Sequence, residues 1–194
     1  MKGKPAASSR KDESTHDGSY FQILREHIEE SQDAELLGAL SEMPSLVQWR
    51  DDEGVSLLHF AARNGRTKVV AALLSAGADP SCRDHKRRTP LHDAVINYEA
   101  SLPALVLLLD SGSDIDARDT YWETPLITAS NYSNLYAVSV LVALGANAAF
   151  KDRGGMNARA HAERALSAGR ANYRKYKRQI ADCEIILELL DKAE

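Results

Sequence analysis

The chain has 194 residues, 44% of them apolar and 6% aromatic, with a formal charge of −4. That length suits one sizeable domain or an elongated array, and so few aromatics sit poorly with a β-sandwich or barrel. A charge this mild gives no overall pull toward nucleic acid or an acidic membrane, which leaves only a local basic patch to consider.

In chain order, residues 1–19 (MKGKPAASSRKDESTHDGS) are polar, charged and rich in small residues, and read as a disordered arm. They lack the apolar run of a signal peptide. No later stretch approaches the roughly 18 apolar residues of a membrane span, so a cytoplasmic location is expected, with the nucleus as the alternative. Next, "YFQILREHIEESQDAELLGALSEMP" predicts two amphipathic helices, about 20–30 and 33–41. Arg25, Glu26, Glu29, Glu30 and Glu35 suit a polar outer face.

A phrase then recurs. Ser56-Leu57-Leu58-His59 matches Thr89-Pro90-Leu91-His92, and Thr124-Pro125-Leu126-Ile127 is the next copy. Downstream of each lies "SAGAD" at 75–79, "DSGSD" at 110–114 and "ALGAN" at 143–147. An Asp stands at 51, 84, 119 and 152, in steps of 33, 35 and 33 residues. The Thr supplies an N-cap and the Pro takes the first helical position, where its missing N–H costs nothing. Leu58, Ala61 and Ala62, then Leu91, Ala94 and Val95, then Leu126 and Ala129, put small and apolar residues on one face. The second helices, "KVVAALL", "ALVLLL" and "AVSVLVAL", are apolar on most sides and are expected to be buried between neighbours. Gly77, Gly112 and Gly145 follow them as helix-ending residues. No unit can bury its own apolar faces, so the stack is the folding unit.

Three anchors keeping one step resemble the ankyrin repeat, well over about 51–155 and in outline over 20–50 and 156–194. The resemblance implies an all-α solenoid of stacked helix pairs, with turn or hairpin loops and a helical cap at each end. It divides the chain into an N-terminal capping unit (20–50), repeats at 51–83, 84–118 and 119–151, and a degenerate C-terminal unit with a long capping helix (152–194). It also implies that His59 and His92 tie neighbouring repeats through hydrogen bonds. Catalysis by them is disfavoured, since the third copy has Ile127 there.

The pattern departs in places. The second unit is two residues longer, near "NYEASLP", which predicts an enlarged inter-helix turn with Pro103 opening the second helix. The Gly expected two residues before the Thr is Gly54 in the first unit but Arg87 and Trp122 in the next two. A left-handed position prefers Gly, so either the turn changes type or strain is tolerated. Toward the end, Asn157-Ala158-Arg159-Ala160 has lost the TPLH chemistry. Helices are expected at about 157–167 and 171–191. The second carries Tyr173, Tyr176, Ile180, Cys183, Leu187 and Leu190 as one apolar stripe docking on the third repeat.

For function, no P-loop, GxGxxG, GxSxG, HExxH or Cys/His cluster occurs. Cys82 and Cys183 form no zinc spacing or disulfide framework and read as structural thiols in a reducing compartment. No catalytic residue, cofactor or metal ligand is expected. By the resemblance, turn tips and first-helix faces line a concave binding surface. It comprises Asp52, Glu53, Val55, Arg63 and Asn64; then His85, Lys86, Arg87, Arg88, Ile96 and Asn97; then Thr120, Tyr121, Trp122, Glu123, Asn131 and Tyr132; then Arg153 and Met156. The expected partner-binding residues are Lys86, Arg87, Arg88, Ile96, Asn97, Tyr121, Trp122, Glu123, Asn131 and Tyr132. Aromatic anchors beside a basic tip predict a partner protein with an apolar socket next to carboxylates, gripped by a monomeric adaptor or an enzyme inhibitor of immunity type. The alternative is nucleic acid or anionic lipid at Arg170, Arg174, Lys175, Lys177 and Arg178, whose place at a helix start opposes the dipole.

Overall fold

The computed structural model describes residues 18–30, 32–97, 102–170 and 173–193. Among the described residues ten helices follow one another as α1 Gly18–Glu29, α2 Asp33–Glu42, α3 Leu57–Arg63, α4 Thr67–Ser75, α5 Pro90–Ala94, α6 Leu102–Asp110, α7 Pro125–Asn131, α8 Leu135–Ala143, α9 Ala158–Arg170 and α10 Tyr173–Asp191. A short 3-10 helix, Pro44–Gln48, follows α2. Among the described residues there is no strand, and one isolated bridge joins Arg50 to Ser56.

The helices form two layers. Odd-numbered helices pack in series, α1 on α3, α3 on α5, α5 on α7 and α7 on α9; even-numbered ones do the same from α2 to α10. Each pair thus meets only its neighbours, which makes the molecule a solenoid with a helical pair at either end. Small residues set the spacing: Ala61, Ala62, Ala94 and Ala129 are fully buried, letting first helices approach closely.

Local chemistry starts and stops the helices as expected. Ser56 and Thr124 accept hydrogen bonds from the N–H groups of His59 and Ile127. Thr89 shares a reciprocal capping box with His92, and Pro90 and Pro125 open their helices. Gly77, Gly112 and Gly145 adopt φ of 90°, 93° and 85° where the second helices end.

Several expectations need correction. The second helices are not enclosed all round. Val69, Val70, Leu73, Ala104, Leu105, Leu108, Ala137, Val138 and Leu141 are buried, but Val106 in α6 and Tyr136 in α8 stand exposed. The reason is geometric, because a helix in a two-layer stack touches its partner and two neighbours and keeps a fourth flank in solvent. Asn157 does retain a cap, accepting from the N–H of Ala160 at 3.0 Å, so what the phrase loses is its Pro, Leu and His. The first helix begins at Gly18, within the span read as an arm; residues 1–17 lie outside the described residues, as do 98–101 of the enlarged turn. The helix after that turn starts at Leu102, one residue before Pro103.

The ends are tied in by charge and by sulfur. Arg66 grips Asp33 Oδ1 at 2.6 and 3.0 Å, joining α4 to α2. Arg159 pairs with Asp191, joining α9 to α10. Cys183 is fully buried and donates to Ser133 Oγ at 3.2 Å, so α10 holds a serine whose φ is 56°.

Candidate protein-interaction face

Each loop between units is built on its Asp. Asp51, Asp84, Asp119 and Asp152 each accept, at 2.8–2.9 Å, the N–H four residues on: Val55, Arg88, Glu123 and Met156. Three residues after the Asp the backbone turns left-handed, at Gly54 (φ 77°), Arg87 (59°), Trp122 (63°) and Gly155 (77°). The turn type is therefore kept and strain is tolerated at Arg87 and Trp122. Gly54 has no such freedom, since a Cβ there would meet His85 Cδ2 at 2.8 Å.

Consecutive tips are stitched together. The N–H groups of His85, Thr120 and Arg153 donate to the carbonyls of Glu53, Lys86 and Tyr121 at 2.8–2.9 Å. The tips therefore form one continuous ridge. On it, Tyr121 and Trp122 are 60% and 50% exposed, and Tyr132, capping α7, is 51% exposed. The Arg153 guanidinium lies 5.9 Å from the Trp122 ring centre. Lys86 and Arg87 are exposed beside them, as is Asn97; Ile96 is half-buried.

Other expected contact residues have internal duties. Arg88 donates to its own Asp84 at 2.8 and 2.9 Å and lies 3.5 Å from Asp93. Burial alone would raise the Asp84 carboxyl, but the Arg88 hydrogen bonds outweigh it and hold it below the usual carboxylate range. Asn131 accepts from Arg164 at 3.0 Å. Val55 is buried in the core rather than presented. It borders a groove of about 320 Å³ with Arg25, Asp51, Glu53, Phe60 and Arg63, so the face over the first unit carries both signs of charge. Arg178 is exposed on α10; the side chains of Arg170, Arg174, Lys175 and Lys177 lie outside those described.

His59 and His92 act between units. Their Nε2 atoms meet the carbonyls of Arg88 and Glu123, each at 3.1 Å, and their Nδ1 atoms meet Ser56 and Thr89 Oγ at 2.8 and 2.9 Å. Burial pushes both imidazoles below the ordinary histidine range, so both are neutral. Cys82 Sγ lies 3.8 Å from His59 Nδ1, a thiol–imidazole contact that sequence spacing did not announce. Burial raises that thiol, and the ring is already engaged at both nitrogens, which leaves no free base to make a thiolate.

Two groupings escaped the sequence reading. Asp93, fully buried, accepts from Arg63 of the preceding unit at 2.9 Å. Farther on, Glu123, Asp152 and His161 converge, their ligand-capable atoms all within 4.8 Å of one another. Burial and Asp119 push the Glu123 carboxyl up. Asp152 is raised by burial but, on balance, is held low by the Met156 N–H and by His161. The only sequence signal was the histidine four residues after the helix-capping Asn157, one place later than in the repeated phrase.

This stack of short helix pairs, joined by loops that repeat one Asp-centred turn, defines a repeat solenoid. The family model for ankyrin repeats (three copies) matches residues 30–119. Residues 30–119 thus match ankyrin repeats, and the next helix pair, α7 and α8, continues the same stack beyond the matched span. Ankyrin repeats are generally protein–protein interaction modules and are typically non-catalytic. Curated relatives include the mouse (Mus musculus) neurogenic locus notch homolog protein 1, 40% identical over 86 residues. The Drosophila melanogaster neurogenic locus Notch protein is 41% identical over 80 residues, and human (Homo sapiens) notch homolog protein 2 is 40% identical over 86. These matches cover 44%, 41% and 44% of this chain but 3% of each relative. Among the described residues, no helix is long and apolar enough to cross a membrane.

Proposed function

We propose that this chain is a non-catalytic binding module that grips one folded partner protein along its ridge of turn tips and its concave face. It acts as a cytoplasmic, monomeric adaptor or as an inhibitor of an enzyme. Its working units divide at 51, 84, 119 and 152. The observation that carries the reading is Trp122: a bulky residue held left-handed, exposed, and flanked by Tyr121 and by the basic tip of the preceding unit. A backbone outlier of this kind costs about 1–3 kcal/mol, and presenting an indole to a partner is a reason to keep it. Tyr132, Asn97 and Ile96 extend the surface. Lys86 and Arg87 supply the charge for an acidic partner; Arg88, Glu123 and Asn131 contribute chiefly by holding the ridge in shape.

Affinity capture with the intact chain beside Trp122→Ala tests this. Loss of a hot-spot aromatic costs about 2 kcal/mol or more, roughly thirtyfold in affinity, so a partner held by the intact chain should be depleted on the variant. Identical captured proteins on both would remove Trp122 from the contact. Loss instead on Arg174→Glu/Lys175→Glu/Arg178→Glu, with binding that falls steeply with salt, would move the function to an anionic ligand at 170–178.

A further inference from the structure

The third loop differs from the second in the sign of one residue. In the second loop Arg88, four residues after the Asp, neutralises Asp84 and reaches Asp93. In the third loop Glu123 occupies that place, so a carboxylate stands beside Asp119 of its own loop and faces Asp152 of the next. Arg164, from α9, is turned to Asn131. What closes the group is His161, 3% exposed, with Nε2 2.8 Å from Asp152 Oδ2 and Nδ1 lacking any partner. A buried imidazole set against two carboxylates gathers one nitrogen and two oxygen donors in one small space.

We propose that Glu123, Asp152 and His161 bind a divalent cation of the zinc class, clasping the third unit to the C-terminal one. The donor set fits. Imidazole nitrogen and carboxylate oxygen are ordinary zinc ligands at about 2.0–2.2 Å, and two carboxylates balance the ion's charge. Asp152 is already oriented, because Oδ1 accepts from the Met156 N–H and leaves Oδ2 for the metal. Glu123 is fixed through its backbone, whose N–H donates to Asp119 and whose carbonyl meets His92. Closing on an ion then asks movement of its side chain alone, from a position where the ligand-capable atoms already lie within 4.8 Å of one another. Three protein ligands leave one tetrahedral position for water. This site stands independently of the partner-binding reading, although it lies one residue from Trp122 and one from Arg153.

The test uses the full, tag-free chain, stripped with EDTA and dialysed, then titrated with zinc chloride by calorimetry and by tryptophan fluorescence. One equivalent should bind, and Trp122, adjacent to Glu123, should report it. Cobalt(II) should give visible bands without the near-ultraviolet thiolate band that Cys82 or Cys183 would add. Glu123→Gln should weaken zinc about tenfold or more without lowering the melting temperature in EDTA, because it removes a charge that burial and Asp119 already disfavour. His161→Gln should weaken it as strongly. Absence of saturable one-to-one binding would overturn the site. So would zinc affinity that survives both substitutions, or a thiolate band in the cobalt complex.

Discussion

The junction between the second and third units and the junction between the third unit and the last solve one problem with different chemistry. In the former, a neutral imidazole bonds a backbone carbonyl (His92 to Glu123), and the preceding junction repeats this with His59 and Arg88. At the latter, the equivalent position is Ile127, fully apolar and buried, and the ties come from the other side. They run from Arg164 to Asn131 and from Cys183 and Gln179 to Ser133, while Glu123 faces Asp152 and His161. A neutral tie can recur in every unit because it needs no matching charge on the neighbour. A tie between two side chains, such as Arg164 to Asn131 or Arg63 to Asp93, needs a particular partner, so it leaves no period in the sequence.

The sharpest way to break the comparison lies at Asp93. Its carboxylate is fully buried and serves Arg63 of one unit and Arg88 of its own. Asp93→Ala strands the Arg63 guanidinium, while Arg88 keeps Asp84, and should cost about 3 kcal/mol, near the lower end for breaking a buried pair because both arginines retain some solvent contact. Urea denaturation measures it; a loss under about 1 kcal/mol would mean that the interior junction rests on its histidine alone. A smaller effect is expected at the cap of α8. Asn134 accepts from the Ala137 N–H at 3.1 Å and donates to Val95 O of the second unit at 2.8 Å. Asn134→Ala removes a cap and leaves a buried carbonyl unpaired, about 2 kcal/mol in sum. Asn157→Ala, capping α9 at the half-buried end of the stack, should cost about 1 kcal/mol. Equal costs would erase the distinction between interior and terminal units.

Acid should act on the neutral junctions. His59 is pushed below the ordinary value of 6.5 by burial, so between that value and its folded pKa the unfolded chain binds more protons than the folded one. Stability from this group is whole above pH 6.5 and falls as the pH drops through it, by up to about 1.4 kcal/mol per pH unit. Asp84, held low overall, adds a loss of the same sign farther down, in the carboxylate range. Melting temperature measured from pH 7.5 to 5 should decline. A rise toward acid would mean that His59 is charged in the fold.

These contrasts explain what could be read from the residues. The stack, its capping threonines, its prolines and its helix-ending glycines were legible because each obeys a local rule that recurs every 33 to 35 residues. The exposed tip aromatics were legible for the same reason, through their register in the unit. What register cannot give is which long side chain turns inward. Arg88 sits at a tip yet folds back onto Asp84 and Asp93, and Val55 at the corresponding place goes to the core. The convergence of Glu123 with Asp152 and His161 spans two units and follows from the stacking of neighbouring loops, which no spacing within one unit encodes.

The smallest effect bears most directly on function. Arg87 and Trp122 hold equivalent left-handed positions, φ 59° and 63°, so glycine at either should relieve about 1 kcal/mol of strain. Glycine's extra freedom in the unfolded chain takes back part of that, leaving a net gain of about 0.5 kcal/mol for Arg87→Gly. At Trp122 the same relief is offset further by losing the Arg153 contact, about 0.5 kcal/mol at an exposed site, so Trp122→Gly should be close to neutral in urea denaturation. The two variants then separate fold from use. If the indole is kept for a partner, Trp122→Gly leaves stability alone and abolishes capture, whereas Arg87→Gly gains stability and weakens capture only modestly, as loss of one exposed charge would. If both variants gain stability equally and capture is untouched, the left-handed tryptophan is merely tolerated, and the strain at this tip carries no functional meaning.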